Sequence, residues 1–340
     1  MQTRYWFDRG TAQEHASGSG QYTSSSPTRH ATWHKALQTV AFTGALCLML
    51  SACSAPRIDG RAESEQQPSA CETAYYAAES NTSVMATDSG APMLMRFFAA
   101  QSATQQWVDV AGYCAHRFAE GTLRSAQAEY TASILGNKLD ITPASRASSL
   151  EGITALHADA DALGGMAVAE DRAGFVIEVL AARKVDGASL ALSDDHKTAG
   201  QLLFSLSKAS KDPRSKVYDV RGILAHPDTM TDSATGLSAR TVAVAEITCA
   251  REELSAMTAE TSENTADSDA ADRTHTDSVD TAASSADTSA SSTDTSLGAT
   301  TAAANTQRSK TLRTLSDLVA SRISLAFTYG YPAFDHALFS

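Results

Sequence analysis

Cysteine is scarce in this 340-residue chain, and none of its five cysteines forms a Cys-x-x-Cys pair. That leaves thioredoxin-type redox chemistry without a local motif. Gly-x-Ser-x-Gly, the Gly-rich dinucleotide fingerprint and Glu-x-x-His are also missing, so hydrolase, nucleotide and di-iron chemistry have no local motif. Aromatic residues make up only 6% of the chain, and 39 acids against 27 bases leave a net charge of −12. Such a composition argues against nucleic-acid partners and against electrostatic membrane binding. The longest uncharged apolar run, Ala36 to Ala52, falls short of the roughly 20 residues that span a bilayer.

That run has the length of a signal-peptide apolar region, and a basic patch (Arg29, His30, His34, Lys35) precedes it. Leu50-Ser51-Ala52-Cys53 at its end resembles the lipobox of bacterial lipoproteins. The resemblance implies a diacylglyceryl group on the Cys53 thiol and cleavage before Cys53, which leaves the protein on the extracytoplasmic face of the cell membrane. Residues 1–52 then form a signal peptide with a long Ser/Gly/Thr-rich n-region, and their removal takes the net charge from −12 to −14. Two acyl chains supply the anchoring, at about 0.8 kcal/mol per buried CH₂. Cys71, Cys114 and Cys249 remain in an oxidising compartment. Cys71 and Cys114 share one segment and are the expected disulfide. Cys249 reads as a small buried hydrophobe, with a reactive thiol as the sharper alternative.

Residues 53–70 are polar and hold two prolines, as a flexible tether would. Residues 71–140 form an N-terminal helical segment. Trp107, Val110, Ala111, Cys114 and Phe118 recur on one helical stripe, and a further helix covers Thr122 to Leu135. Ser148 with Glu151 matches a capping box. Four longer helices follow: Ala158–Arg183, one opening on Ser193 as N-cap with Asp194 and Asp195 in its first turn, Ala234–Met257, and Lys310–Phe327. Residues 259–308 form an acidic Ser/Thr/Ala-rich loop. From Thr261 to Asn305 its only large apolar residues are Val279 and Leu297, so the expectation there is disorder. The fold class is all-α, a helix bundle with additional N-terminal helices.

"AVAEDRAGFVIEVLAAR" (Ala167 to Arg183), "SDDHKTAGQLLFSL", "VAVAEITCAREEL" and "ASRISLAFTYGYPAF" resemble the actinobacterial ferritin-like domain of unknown function. The resemblance covers residues 148–258 plus 309–335 and implies a ferritin-like four-helix bundle without a known activity. No cofactor is expected. A di-metal site is conceivable on such a bundle, but the missing Glu-x-x-His speaks against it.

One position keeps polar chemistry in view. Glu170 lies at the centre of the apolar face made by Leu163, Met166, Ala167, Ile177 and Ala181, with Gly174 beside it. A carboxylate there costs several kcal/mol unless paired, hydrogen-bonded or protonated. Glu178, His196 and Glu246 are its candidate neighbours. Two readings stand: a metal or proton site, or a buried Glu–His or Glu–Arg pair that fixes helix register. The leading expectation is a non-enzymatic envelope module whose partners are the membrane, through its lipid, and an envelope protein, a cell-wall component or a small ligand. The rivals are a metal-dependent ferritin-like protein and the solute-binding component of a transporter.

Overall fold

Eight α-helices account for most of the described residues, and they follow from short local signals and small-residue contacts. The computed structural model describes residues 67–144, 146, 148–273 and 294–339, with backbone only for 259–273, 294–301 and 339. Leu50 to Cys53 and most of the tether lie outside the described residues. Among the described residues no helix is long and apolar enough to cross a membrane.

Helix α1 (Ala70–Met85) opens on a reciprocal capping box, in which Ser69 Oγ accepts from Glu72 N–H and Glu72 Oε2 accepts from Ser69 N–H at 2.8 Å. The Cys71–Cys114 disulfide ties that end to the last turn of α2 (Met93–Tyr113). Trp107 on α2 is fully buried and donates its ring N–H to Thr82 Oγ1 at 2.8 Å. The stripe from Trp107 to Phe118 is buried as expected but does not belong to one helix. The chain breaks at Cys114, turns through a short 3₁₀ segment at Ala115–Arg117, and restarts as α3 (Phe118–Leu139). Gly121 permits that reversal, because a Cβ there would sit 2.7 Å from the Trp107 carbonyl.

Helix α4 spans Ala160–Ala182 and α5 spans Leu190–Ser207. A five-residue helix α6 (Arg221–Ala225) precedes a two-stranded antiparallel hairpin, β1 (Thr229–Thr231) with β2 (Ser238–Arg240), in which Thr229 faces Arg240. Then come α7 (Thr241–Arg273) and α8 (Asp294–Thr328). The main core joins α4, α5, α7 and α8 to α3 around Leu163, Met166, Leu203, Met257, Leu315 and Ile323. Helix α8 is shared: Ser316 Oγ accepts from Thr122 Oγ1 of α3 at 2.9 Å, and Arg146 bridges Glu129 and Asp317. The N-terminal helices and the bundle therefore form a single all-α body.

Four further sequence expectations change. Ser148 and Glu151 start no helix. Glu151 N–H bonds Ser149 Oγ instead, and Gly152 at φ 79° turns the chain away. Helix α5 begins at Leu190, because Ser189 rather than Ser193 is its N-cap and accepts from Leu192 N–H at 3.1 Å. Ser193 lies inside the helix and is pulled inward, where it donates to the Gly174 carbonyl at 2.8 Å. The third bundle helix starts at Thr241 rather than Ala234, because Gly236 at φ 72° closes the hairpin and Asp232 is tied down beneath it. Asp232 accepts from Tyr331 Oη and Arg251 Nη2, both at 2.6 Å. The acidic loop is shorter than residues 259–308, since α7 runs on to Arg273 and α8 starts at Asp294. Helical hydrogen bonds are local and alanine favours them, so both helices extend into the Ala-containing ends of that segment. Residues 274–293 lie outside the described residues.

Candidate functional site

Glycine sets the geometry of the polar centre. A Cβ on Gly174 of α4 would lie 2.9 Å from the Ser193 carbonyl, and one on Gly200 of α5 would lie 3.0 Å from the Ala167 carbonyl. The two backbones therefore touch, and His196, one turn before Gly200, is pressed onto Glu170. Its Nδ1 lies 2.5 Å from Glu170 Oε2, and its Nε2 lies 3.0 Å from Glu246 Oε1 on α7. From α8, Arg322 closes a two-pronged contact on the same carboxylate, Nε to Oε1 at 3.0 Å and Nη2 to Oε2 at 3.2 Å. Glu170, His196, Glu246 and Glu253 have no exposed surface, and Arg322 is 8% exposed.

Charge follows from these contacts. Burial pulls the His196 pKa down, but the Glu246 and Glu170 carboxylates more than offset it and push it up to about 9. Burial likewise opposes ionisation of Glu170, yet Arg322 and His196 hold its carboxyl below the ordinary range. For Glu253 the pull of Arg322 does not offset burial. Burial and the Glu170 carboxylate push it well above its ordinary value, and neither of its oxygens receives a hydrogen bond. Burial, then Glu170 and Glu253, also raise the Cys249 thiol, which is therefore no nucleophile.

The structure thus brings together three of the four residues singled out in the sequence: Glu170, His196 and Glu246. The fourth, Glu178, is a correction. It sits two turns further along α4, is exposed, and pairs with Lys197 across the α4–α5 contact. Asp194 and Asp195 are exposed on α5. Sequence reasoning missed Arg322 and Glu253 and set Cys249 aside as a buried hydrophobe. A signal existed for the first two. Arg322 falls on the stripe of Leu315, Val319 and Ala326, and Glu253 lies seven residues after Glu246 on the buried face that ends in Met257. Each is a charge on an apolar face.

Cys249, itself buried, also lines a cleft of about 240 Å³ between α4 and α7, walled by Ala173, Val176, Val244 and Ala245 with Ile223 and Met230 above. The charged groups at its rim are paired: Arg172 with Glu252, Asp219 with Arg221, and Asp232 with Arg251. The C-terminal aromatics close the other end of the bundle, with Phe327 and Tyr331 buried and the Tyr130 ring tilted against Phe327 at 5.7 Å between centroids. Comparison with protein-family models, with curated proteins and with solved structures finds no match for this chain.

Proposed function

We propose that this chain is a lipid-anchored, extracytoplasmic helical module that binds an apolar ligand, or an apolar side chain of an envelope partner, without catalysing a reaction. One observation carries the reading. The carboxylates and imidazole of the central cluster are sealed in the core with no exposed surface, whereas the cleft between α4 and α7 is largely apolar and its charged residues are already paired. A substrate in the cleft meets neither a free base nor an ionised thiol. Anchoring is supported by Leu50-Ser51-Ala52-Cys53 after the uncharged run, and an oxidising compartment by the Cys71–Cys114 disulfide. An all-helical fold speaks against a solute-binding component, which ordinarily has two βα lobes.

The test is a fluorescence titration of soluble Ser54–Ser340 with the neutral probe N-phenyl-1-naphthylamine. Saturable one-to-one binding is expected, and Ala245→Trp should abolish it without moving the melting midpoint. Absence of saturation, or equal binding by Ala245→Trp, refutes the cleft as the binding site. Cys53→Ser in the full chain should abolish membrane partitioning, and unchanged partitioning refutes the anchor.

A further inference from the structure

We propose that Glu170, His196, Cys249 and Glu253 form a site for one zinc-type divalent metal ion, supported from outside by Glu246 and Arg322. The coordinating atoms of Glu170, His196 and Cys249 lie within 4.8 Å of one another, and all three residues are buried. Neighbouring ligand atoms around tetrahedral zinc are about 3.5 Å apart, given bond lengths of about 2.0–2.3 Å. Closing these three around an ion therefore needs movements of about 1 Å, including an opening of the 2.5 Å contact between His196 Nδ1 and Glu170 Oε2. Side-chain torsions supply movements of that size.

A second observation points to a ligand. Glu253, one turn after Cys249 on α7, is fully buried, neither of its carboxyl oxygens receives a hydrogen bond, and the side chain it meets is the carboxylate of Glu170. A buried polar group left in that state costs about 1–3 kcal/mol, and a cation would satisfy it. Glu253 stands outside the three whose atoms lie within 4.8 Å of one another, so as the fourth ligand its side chain must swing toward them.

The surroundings match what metal sites require beyond their ligands. A metal-bound histidine ordinarily donates its other ring N–H to a carboxylate. Glu246 Oε1 stands 3.0 Å from His196 Nε2 and fills that role, leaving Nδ1 for the metal. Ligating carboxylates are themselves hydrogen-bonded, as Arg322 does for Glu170. One sulfur, one imidazole and two carboxylates make a borderline donor set, which suits zinc rather than calcium or magnesium. Coordination takes a thiolate, an imidazole lone pair and the Glu253 carboxylate, so the protons those groups carry leave to solvent on binding. The apolar cleft ends on Cys249 and gives the ion its way in.

Cobalt(II) is the probe, titrated into the full chain in detergent after chelator treatment. The expected result is one-to-one binding with visible bands of tetrahedral intensity and a near-ultraviolet sulfur-to-cobalt charge-transfer band. Cys249→Ala should remove the charge-transfer band, and Glu253→Gln should weaken binding at least about tenfold, as should Glu246→Gln. Circular dichroism confirms that each variant is folded. If Glu253→Gln does not fold, Cys249→Ala decides alone. No tetrahedral spectrum, a charge-transfer band that survives Cys249→Ala, or unchanged affinity in a folded Glu253→Gln overturns the site and leaves a purely structural ionic cluster.

Discussion

The position of His196 between two buried carboxylates makes stability fall as pH rises. Below about 6.5 its ring is protonated in both the folded and unfolded chain, and the full stabilisation is present. Between about 6.5 and about 9 the unfolded ring releases its proton while the folded one keeps it, so stability declines. Above about 9 both are neutral and the contribution is lost. At about 1.36 kcal/mol per pH unit, that window corresponds to roughly 3 kcal/mol. Glu253 acts in the same direction, since its raised pKa makes its contribution fade as pH climbs from 4.5. Glu170 lies outside the window because its lowered pKa matters only in acid. Glu253→Gln is therefore the background, and the second substitution is His196→Gln. Urea unfolding of chelator-treated protein, at several pH values between mildly acidic and alkaline, should show a decline in Glu253→Gln of about 3 kcal/mol that is absent from the double variant. Parallel curves for the two proteins refute the assignment of the proton to His196.

Two further perturbations test the same centre. Arg322→Met leaves the Glu170 carboxylate buried without its guanidinium and should cost about 3–5 kcal/mol in urea unfolding, most of it recovered by adding Glu170→Gln; simple additivity contradicts the pairing. Gly174→Ala should cost about 1–3 kcal/mol, because the new methyl meets the Ser193 carbonyl at 2.9 Å. Gly164→Ala, where the nearest atom is at 3.6 Å, should be neutral or stabilising by up to about 1 kcal/mol in the same thermal melts, and equal losses in both variants contradict the close contact.

Much of the helical architecture is legible because helices are local. The periodic stripe that ends in Arg183 places α4 to within two residues, and the stripe from Leu312 to Ala326 marks the buried part of α8. Helix starts are less legible where two candidate caps compete, as Ser189 and Ser193 do, since the winner depends on which side chain the neighbouring helix draws inward. The hairpin before α7 is too short to show an alternating pattern, and what holds Asp232 there is Tyr331, far along the chain.

The sequence by itself determines the helical class, the lipobox-like Leu50–Cys53 segment, and the fact that Glu170 stands on an apolar face and must find a partner. Only the tertiary structure decides which partner. Arg322 is 152 residues away, and nothing in helical periodicity relates the rotation of one helix to that of another. That relation is set where backbones touch, at Gly174 and Gly200, and by the packing of α7 and α8 around them. A charge on an apolar stripe announces a buried contact, but its identity depends on long-range packing that a one-dimensional pattern does not contain.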